Sequence, residues 1–431
     1  MRYYSTRSQG SMAKTFSEAA LLGLAPDGGL FIPEELPRYR SEVRLSLASM
    51  SFLDIAFETI SPFVQSDIPV TTLQDIIEDV FNFPAPVVEA GNYRFLELFH
   101  GPTAAFKDFG ARFMARSFSY LRRGASKPLT ILTATSGDTG GAVASGFSGV
   151  EGIAVTVLYP KGRVSPLQEK QIAGIGGNIR ALAVEGSFDD CQRMVKDAFS
   201  NKRLNAALDI SSANSINIAR LVPQVVYYSV ASVCPIYMKT GGANVFSVPS
   251  GNLGNLTAGM YARGMGAPID RFIAATNINK TVPSYLSSGV YTAASSLQTI
   301  SNAMDVGAPS NFERMESHWS LVQMRSVLEG RVITDDETRE MIKKVYDATG
   351  YIMDPHGAVA CAAAEKSLLE GAKRAIILET AHPAKFAEIV EPITGPVPKP
   401  PQLAQAEERS VNASTIPASG EALEAVLLGQ R

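Results

Sequence analysis

Lys107 stands in the run Phe99-His-Gly-Pro-Thr-Ala-Ala-Phe-Lys-Asp-Phe-Gly110, between Phe106 and Phe109. A helical pattern over 105–123 puts it in a first helical turn. The positive end of a helix disfavours a cation there, and apolar neighbours disfavour any charge. Both effects lower a lysine pKa and favour a nucleophilic amine able to form a Schiff base with a carbonyl compound. The bland alternative is a snorkelling surface lysine paired with Asp108, and for a lone lysine it is the commoner case.

Three further segments have the same placement after a strand and before a helix. Thr133-Ala-Thr-Ser-Gly-Asp-Thr-Gly-Gly141 is dense in small and hydroxyl residues. It leaves backbone N–H groups open at a helix start and makes an anion site suited to a carboxylate. A plain helix cap by Ser136 or Asp138 is the alternative. Pro249-Ser-Gly-Asn-Leu-Gly-Asn255 matches neither a Walker loop nor a full dinucleotide fingerprint. Its glycines allow close backbone approach, and the helix start that follows suits a phosphate. An ordinary glycine-rich turn is the alternative. In Glu379-Thr-Ala-His-Pro-Ala-Lys385, Thr380 offers one hydrogen bond at the same sheet edge.

The elements that must hold these residues alternate. Strands are expected over 93–99, 129–135, 153–159, 178–184, 245–248, 272–276 and 375–378. Helices are expected from about 139 and 166, and over 188–201, 216–233, 256–265, 335–348 and 358–369. Short β-branched runs between helices argue an α/β fold with mainly parallel sheets, whose ligands sit at the carboxyl ends of strands. Before this core, residues 1–85 read as a helical unit, and Phe83-Pro-Ala-Pro86 breaks helix at its end. Beyond it, 394–431 is a proline-rich extension opening with Gly395-Pro-Val-Pro-Lys-Pro-Pro401, either mobile or docked through a terminal helix.

Composition excludes other classes. The chain of 431 residues carries 39 Lys and Arg against 42 Asp and Glu, a net charge of −3, so no basic excess draws it to nucleic acid. Its three cysteines, Cys191, Cys234 and Cys361, are far apart and form neither a disulfide framework nor a metal knot. The four histidines have no zinc spacing; His356 and His318 read as structural. The polar start lacks a signal peptide's apolar core. The apolar stretch 221–238 holds Pro223, Gln224 and Pro235, which suits a buried helix and turn better than a membrane span. A reducing, cytoplasmic setting without membrane contact is the expectation.

Taken together, FHGPTAAFKDF, TATSGDTGGA, SVPSGNLGNLTAG, SNFERM and TAHPAKF resemble the motifs of the threonine synthase family, in that family's order. YYSTRSQ and APDGGLFIPEELP resemble its N-terminal region. The resemblance implies a fold-type-II enzyme dependent on pyridoxal 5′-phosphate (PLP), similar to the tryptophan synthase β chain. Two open, mostly parallel sheet lobes spanning 86–393 would hold the cofactor between them, with the helical region 1–85 added. It implies that Lys107 binds PLP covalently and serves as acid and base. It gives the cofactor phosphate to Gly251, Asn252, Leu253, Gly254 and Asn255, the last an asparagine where relatives often have aspartate. Thr380 would meet the pyridine nitrogen and Asp138 would lie near the phenolic oxygen. Ser136, Gly137 and Thr139 would receive the substrate carboxylate. Ser215 and Arg220, with Asn252, would hold the substrate phosphate; with Arg220 a bystander, Lys280 and residues 311–314 are the next candidates. The implied reaction converts O-phospho-L-homoserine and water to L-threonine and phosphate, by a monomer or homodimer. A serine/threonine dehydratase of the same fold needs no second phosphate pocket, so Ser215 and Arg220 discriminate. A non-catalytic relative would lack the lysine or the glycine loop, and this chain has both.

Overall fold

The structure is a computed structural model, and it describes residues 1–8, 12–234, 243–369 and 371–429. In chain order the strands are β1 (Tyr3–Ser5), β2 (Phe31–Pro33), β3 (Val87–Ala90), β4 (Tyr93–Glu97), β5 (Leu129–Ala134), β6 (Ile153–Pro160), β7 (Ile179–Glu185), β8 (Asp209–Ser212), β9 (Val245–Pro249), β10 (Arg271–Thr276), β11 (Leu328–Val332), β12 (Ile376–Glu379) and β13 (Ala413–Pro417). Among the described residues they form a small antiparallel pair, β1-β2, and two larger sheets. One has six strands in the order β11-β10-β9-β12-β4-β3, parallel except for β3 against β4. The other has five, β13-β7-β6-β5-β8, all parallel. The expected α/β class with mainly parallel sheets is found. β5 shows why: all six of its residues, Leu129–Ala134, are buried, as a strand covered by helices on both faces requires.

The helices follow local signals. Pro166–Ala173 begins with a capping box between Ser165 and Gln168 and has proline at its first position. Asp335–Thr349 has a second such box, three acidic residues in its first turn and Gly350 as a left-handed C-cap. The amino-terminal helices brace the helix that starts at Lys107. Phe52–Val64 buries Ile55, Ile60, Phe63 and Val64, worth roughly 1.5–3 kcal/mol each over exposure. Phe81 and Phe83 set their rings 5.7 and 4.6 Å from that of Phe109, two residues past Lys107.

Several elements differ from the sequence expectation. The helix expected over 216–233 is two, Ile218–Leu221 and Gln224–Ser232, divided where Pro223 withholds an N–H. The apolar stretch 221–238 is buried through Ala231 and Ser232, and residues 235–238 lie outside the described residues. No helix among the described residues is long and apolar enough to cross a membrane. β1, β2, β3, β8, β11 and β13 are strands that the sequence expectation lacked, the first two within the region read as helical. After the proline run, residues fold into the helix Pro401–Glu407, β13 and the helix Gly420–Leu427, and β13 pairs in parallel with β7.

Candidate active site

The segments that follow β4, β5, β8, β9 and β12 line one cleft. The parallel register of β4 and β12, from Arg94 opposite Ile376 to Glu97 opposite Glu379, brings their carboxyl ends level. The main-chain oxygen of Thr380 then accepts from the N–H of Phe106 at 2.8 Å, tying the end of β12 to the turn before Lys107. Thr380 itself is buried and lines the cleft.

Lys107 is the first residue of the helix Lys107–Leu121 and is half-buried, its Nζ 5.3 Å from the centroid of the Phe106 ring. Burial pushes its amine down to about 8, against the pull of Asp138 and with the help of the positive charges of Arg220 and Lys385. At neutral pH about a tenth of such an amine is unprotonated, some hundreds of times more than in an unshifted lysine.

After β9 the chain enters the helix Gly254–Met265 through Leu253, held at φ 60° in the left-handed region. That conformation is strained for leucine, and the helix it opens has its first residues, Gly254 and Asn255, in the cleft lining. A Cβ built on Gly251 would lie 2.7 Å from the oxygen of Ala303, and one on Gly254 would lie 3.1 Å from the Cβ of Ser215. The missing side chains make room for Ala303 and Ser215, and both glycines keep their place in the cleft lining. Asn255 is buried, and the hydroxyls of Tyr227 and Tyr228 both donate to its Oδ1, at 2.6 and 2.8 Å. Its Nδ2 has no partner among the described residues. An amide held by its oxygen keeps a spare donor, and this residue lines the cleft.

In the turn after β5, Thr135 Oγ1 accepts from the N–H groups of Gly137 and Gly140 at 2.9 and 2.8 Å. Ser136 and Thr139 line the cleft; Gly137, at φ 141°, and Asp138 stand behind that lining. Asp138 Oδ1 lies 2.7 Å from Lys385 Nζ and accepts from Gln168 Nε2 at 2.9 Å. Burial raises this carboxyl's pKa, but Lys385, Lys107 and the hydrogen bonds outweigh it and hold Asp138 far below the usual carboxylate range.

Arg220 lines the same cleft at 2% exposure. Its Nη1 donates to the oxygen of Ala213, its Nε has no partner, and it makes no ion pair among the described residues. Burial pulls it down to about 10, with Asp108 acting the other way. Ser215 Oγ accepts from Asn252 Nδ2 at 2.8 Å and from Asn311 Nδ2 at 3.2 Å. Lys280 is exposed and outside the lining. Arg314 is fully buried with its donors taken by Phe31, Ser215, Ile216 and Asn311.

Of the residues singled out from the sequence, Lys107, Ser136, Thr139, Ser215, Arg220, Gly251, Asn252, Leu253, Gly254, Asn255 and Thr380 share the cleft. Sequence reasoning missed Asn214, Gln192 and His356. Asn214 bonds the main chain of Ala134 twice, at 2.6 and 3.1 Å, and sits inside a segment already in view. His356 sets Nδ1 2.6 Å from Asp354 Oδ1 and accepts from the N–H of Ala303 at 3.2 Å. Gln192 and His356 come from helices whose approach to the cleft carries no local signal. The donor set fits PLP: an amine of lowered pKa, a helix N-terminus with a spare amide donor for a phosphate, and a threonine hydroxyl at the facing strand end.

Comparison with known proteins agrees with that fit. Residues 86–380 match the family of pyridoxal-phosphate dependent enzymes, the class that this fold and cleft define. Residues 2–81 match the threonine synthase N terminus and 357–427 the threonine synthase C-terminal family. The chain is 42% identical to threonine synthase of Serratia marcescens, covering 100% of this chain and 99% of that one. It is 41% identical to the Escherichia coli K12 enzyme over 100% of both. The crystal structure of threonine synthase from Escherichia coli superposes with a TM-score of 0.92 at 40% identity, covering 100% of both chains. PLP-bound threonine synthase from Brucella melitensis does so at 0.90 and 36%, over 100% of this chain and 99% of that one. The chain belongs to the threonine synthase family, a PLP-dependent lyase that forms L-threonine and phosphate from O-phospho-L-homoserine and water.

Proposed function

We propose that Lys107 carries the cofactor and moves the protons of this reaction, while Arg220 and Ser215 hold the substrate's phosphate. The observation that carries the reading is Arg220: a buried, charged side chain with an unpartnered Nε, in the same cleft as the reactive lysine. Burying a cation without a counter-ion is costly, and a phosphate that arrives with the substrate supplies the missing charge.

When bound, the cofactor supplies an electron sink for the electron density released as protons leave the substrate's carbon skeleton. Lys107, with a pKa near 8, is matched to taking a proton from Cα and returning it near neutral pH. Ser136, Gly137 and Thr139, at the start of the helix Asp138–Phe147, receive the α-carboxylate. That fixes Cα beside Lys107 and lays the Cγ phosphate toward Arg220 and Ser215. As the Cγ–O bond breaks, charge grows on the departing phosphate, and the guanidinium stabilises it. The N–H groups opening the helix Gly254–Met265, with Gly251, Asn252, Leu253, Gly254 and Asn255, hold the cofactor phosphate. Thr380 would meet the ring nitrogen, and Asp138 would stand on the side of the phenolic oxygen. Phe106, Leu253, Met304 and Val306 form the apolar wall that limits water to the molecule consumed.

The enzyme works in the cytoplasm as a monomer or homodimer. Phosphate release from phosphohomoserine, coupled to amino-acid analysis, tests the reading. Equimolar phosphate and threonine support it; α-keto acid from serine or threonine without phosphate release would replace it with a dehydratase.

A further inference from the structure

Lys385 is 1% exposed and touches two acceptors, Asp138 Oδ1 at 2.7 Å and the main-chain oxygen of Thr103 at 2.9 Å. Those acceptors belong to different sheets. Thr103 and Lys385 follow the adjacent strands β4 and β12 of the six-stranded sheet, whereas Asp138 follows β5 of the five-stranded one. Thr103 is further held by Asp108, which accepts from its N–H at 2.8 Å and from its hydroxyl at 2.6 Å. Gln171 Nε2 donates to the same Thr103 oxygen at 3.1 Å, so the turn before Lys107 is gripped from both lobes.

We propose that Lys385 is a positioning residue for Lys107: by bridging Asp138 to the Thr103 carbonyl it locks together the two turns that flank the reactive amine and keeps the Asp138 carboxylate from pairing with it. An ammonium suits this place, since three donors on one compact centre can reach acceptors from different directions. A fully buried ion pair is also weak support for stability, because desolvating both charges offsets most of their attraction. Its retention therefore calls for another role.

The charged groups facing Lys107 make that role specific. Asp138 opens the helix Asp138–Phe147, Arg220 lies in the helix Ile218–Leu221, and Lys385 lies in the turn Pro383–Phe386. Asp108, next to Lys107 on its own helix, is spent on Thr103, and His356 lines the cleft from the helix Pro355–Lys366. Lys385 takes up Asp138 directly, Arg220 adds positive charge with no ion pair of its own among the described residues, and Lys107 faces both and gives up its proton. Removing Lys385 leaves Asp138 with Lys107 as its remaining cation, and the amine stays protonated to higher pH.

The inference rests on Lys107 being the amine that binds the cofactor, and the test separates the two. The full chain is stripped of cofactor and exposed to PLP across a pH series; borohydride then fixes the adduct, and peptide mass mapping gives its site and rate. In the unaltered chain capture is at Lys107, with a midpoint near 8. Lys385→Met is expected to keep capture at Lys107 and move the midpoint up by about 1–2 pH units. Adding Asp138→Asn to Lys385→Met should bring the midpoint back down, which a merely loosened fold would not do. Label on another lysine in the unaltered chain sinks the Lys107 assignment itself. Label on Lys107 with no shift in Lys385→Met overturns the bridge. Should Lys385→Met fail to fold, Lys385→Gln, which keeps donors but not the charge, decides: the same upward shift supports the bridge, and an unchanged or lower midpoint overturns it.

Discussion

Arg220 and Arg314 are both buried guanidinium groups, exposed 2% and 0%, and burial pulls both down to about 10. They differ in what their nitrogens touch. Arg314 donates from Nε to Phe31, from Nη1 to Ser215 and Asn311, and from Nη2 to Ile216, so it stitches β2 and the Ser215 segment to its own helix Phe312–His318. Arg220 spends Nη1 on Ala213 and leaves Nε without a partner. The same residue type at the same depth is scaffold where its donors are spent, and the proposed phosphate holder where one is kept back.

The sharpest way to break the comparison is Arg314→Ala. It removes the donor from several buried carbonyls and opens a cavity, and the expected loss is about 3–5 kcal/mol of stability by denaturant unfolding. Unchanged stability would dissolve the distinction. Arg220→Ala should do the opposite: hold stability to within about 1 kcal/mol, keep PLP bound, and lose kcat/KM on phosphohomoserine by about 2–5 kcal/mol, or thirty-fold to several thousand-fold. Any side reaction with serine or threonine, which carry no phosphate, should suffer far less. Normal turnover would make Arg220 a second scaffold residue.

Gly110→Ala sharpens the contrast from outside. A Cβ there would lie 2.8 Å from the oxygen of Arg220 and 2.9 Å from its Nε. Such crowding costs about 1–3 kcal/mol and displaces the guanidinium, so turnover should fall together with the melting temperature. An alanine variant with full activity would mean that Arg220 has room to move. The smallest effect is expected from Tyr227→Phe, which removes one of two hydroxyls holding Asn255 Oδ1. PLP affinity should drop by about 0.5–1.5 kcal/mol in a binding titration, a few-fold, with stability changed by no more. Unaltered affinity would argue that the Asn255 amide does not serve the phosphate.

What the sequence made legible follows the range of the interactions. β5, β6, β7, β9, β10 and β12 are short apolar runs, and helices such as Pro166–Ala173, Phe188–Ser200 and Asp335–Thr349 carry their own capping boxes, so both announce themselves locally. Lys107 and Ser136–Thr139 lie at junctions whose residue types already bias them toward a ligand. β8, in Asp209–Ser212, has one apolar residue in four, and β3, in Val87–Ala90, exists only through pairing with β4. Their strand character comes from a neighbour rather than from their own side chains. Lys385 lay inside a quoted motif without a role, because what defines it is a carboxylate on the other sheet. Arg314, within the reserve candidates 311–314 for the substrate phosphate, shows its donors spent only once the chain segments around it are assembled.

β13 has a consequence for how the molecule is made. The ribosome delivers β5, β6, β7 and β8 well before residues 413–417, and until those emerge β7 has no partner on its outer side. At bacterial or eukaryotic rates of roughly 5–20 residues per second, the nascent chain carries that bare edge for about ten to fifty seconds. An unpaired, largely apolar strand is an invitation to another chain. A message cut short before codon 413 would therefore yield a product with its cleft residues all present and a permanent sticky edge, one that cells would meet as aggregate rather than as a slow enzyme.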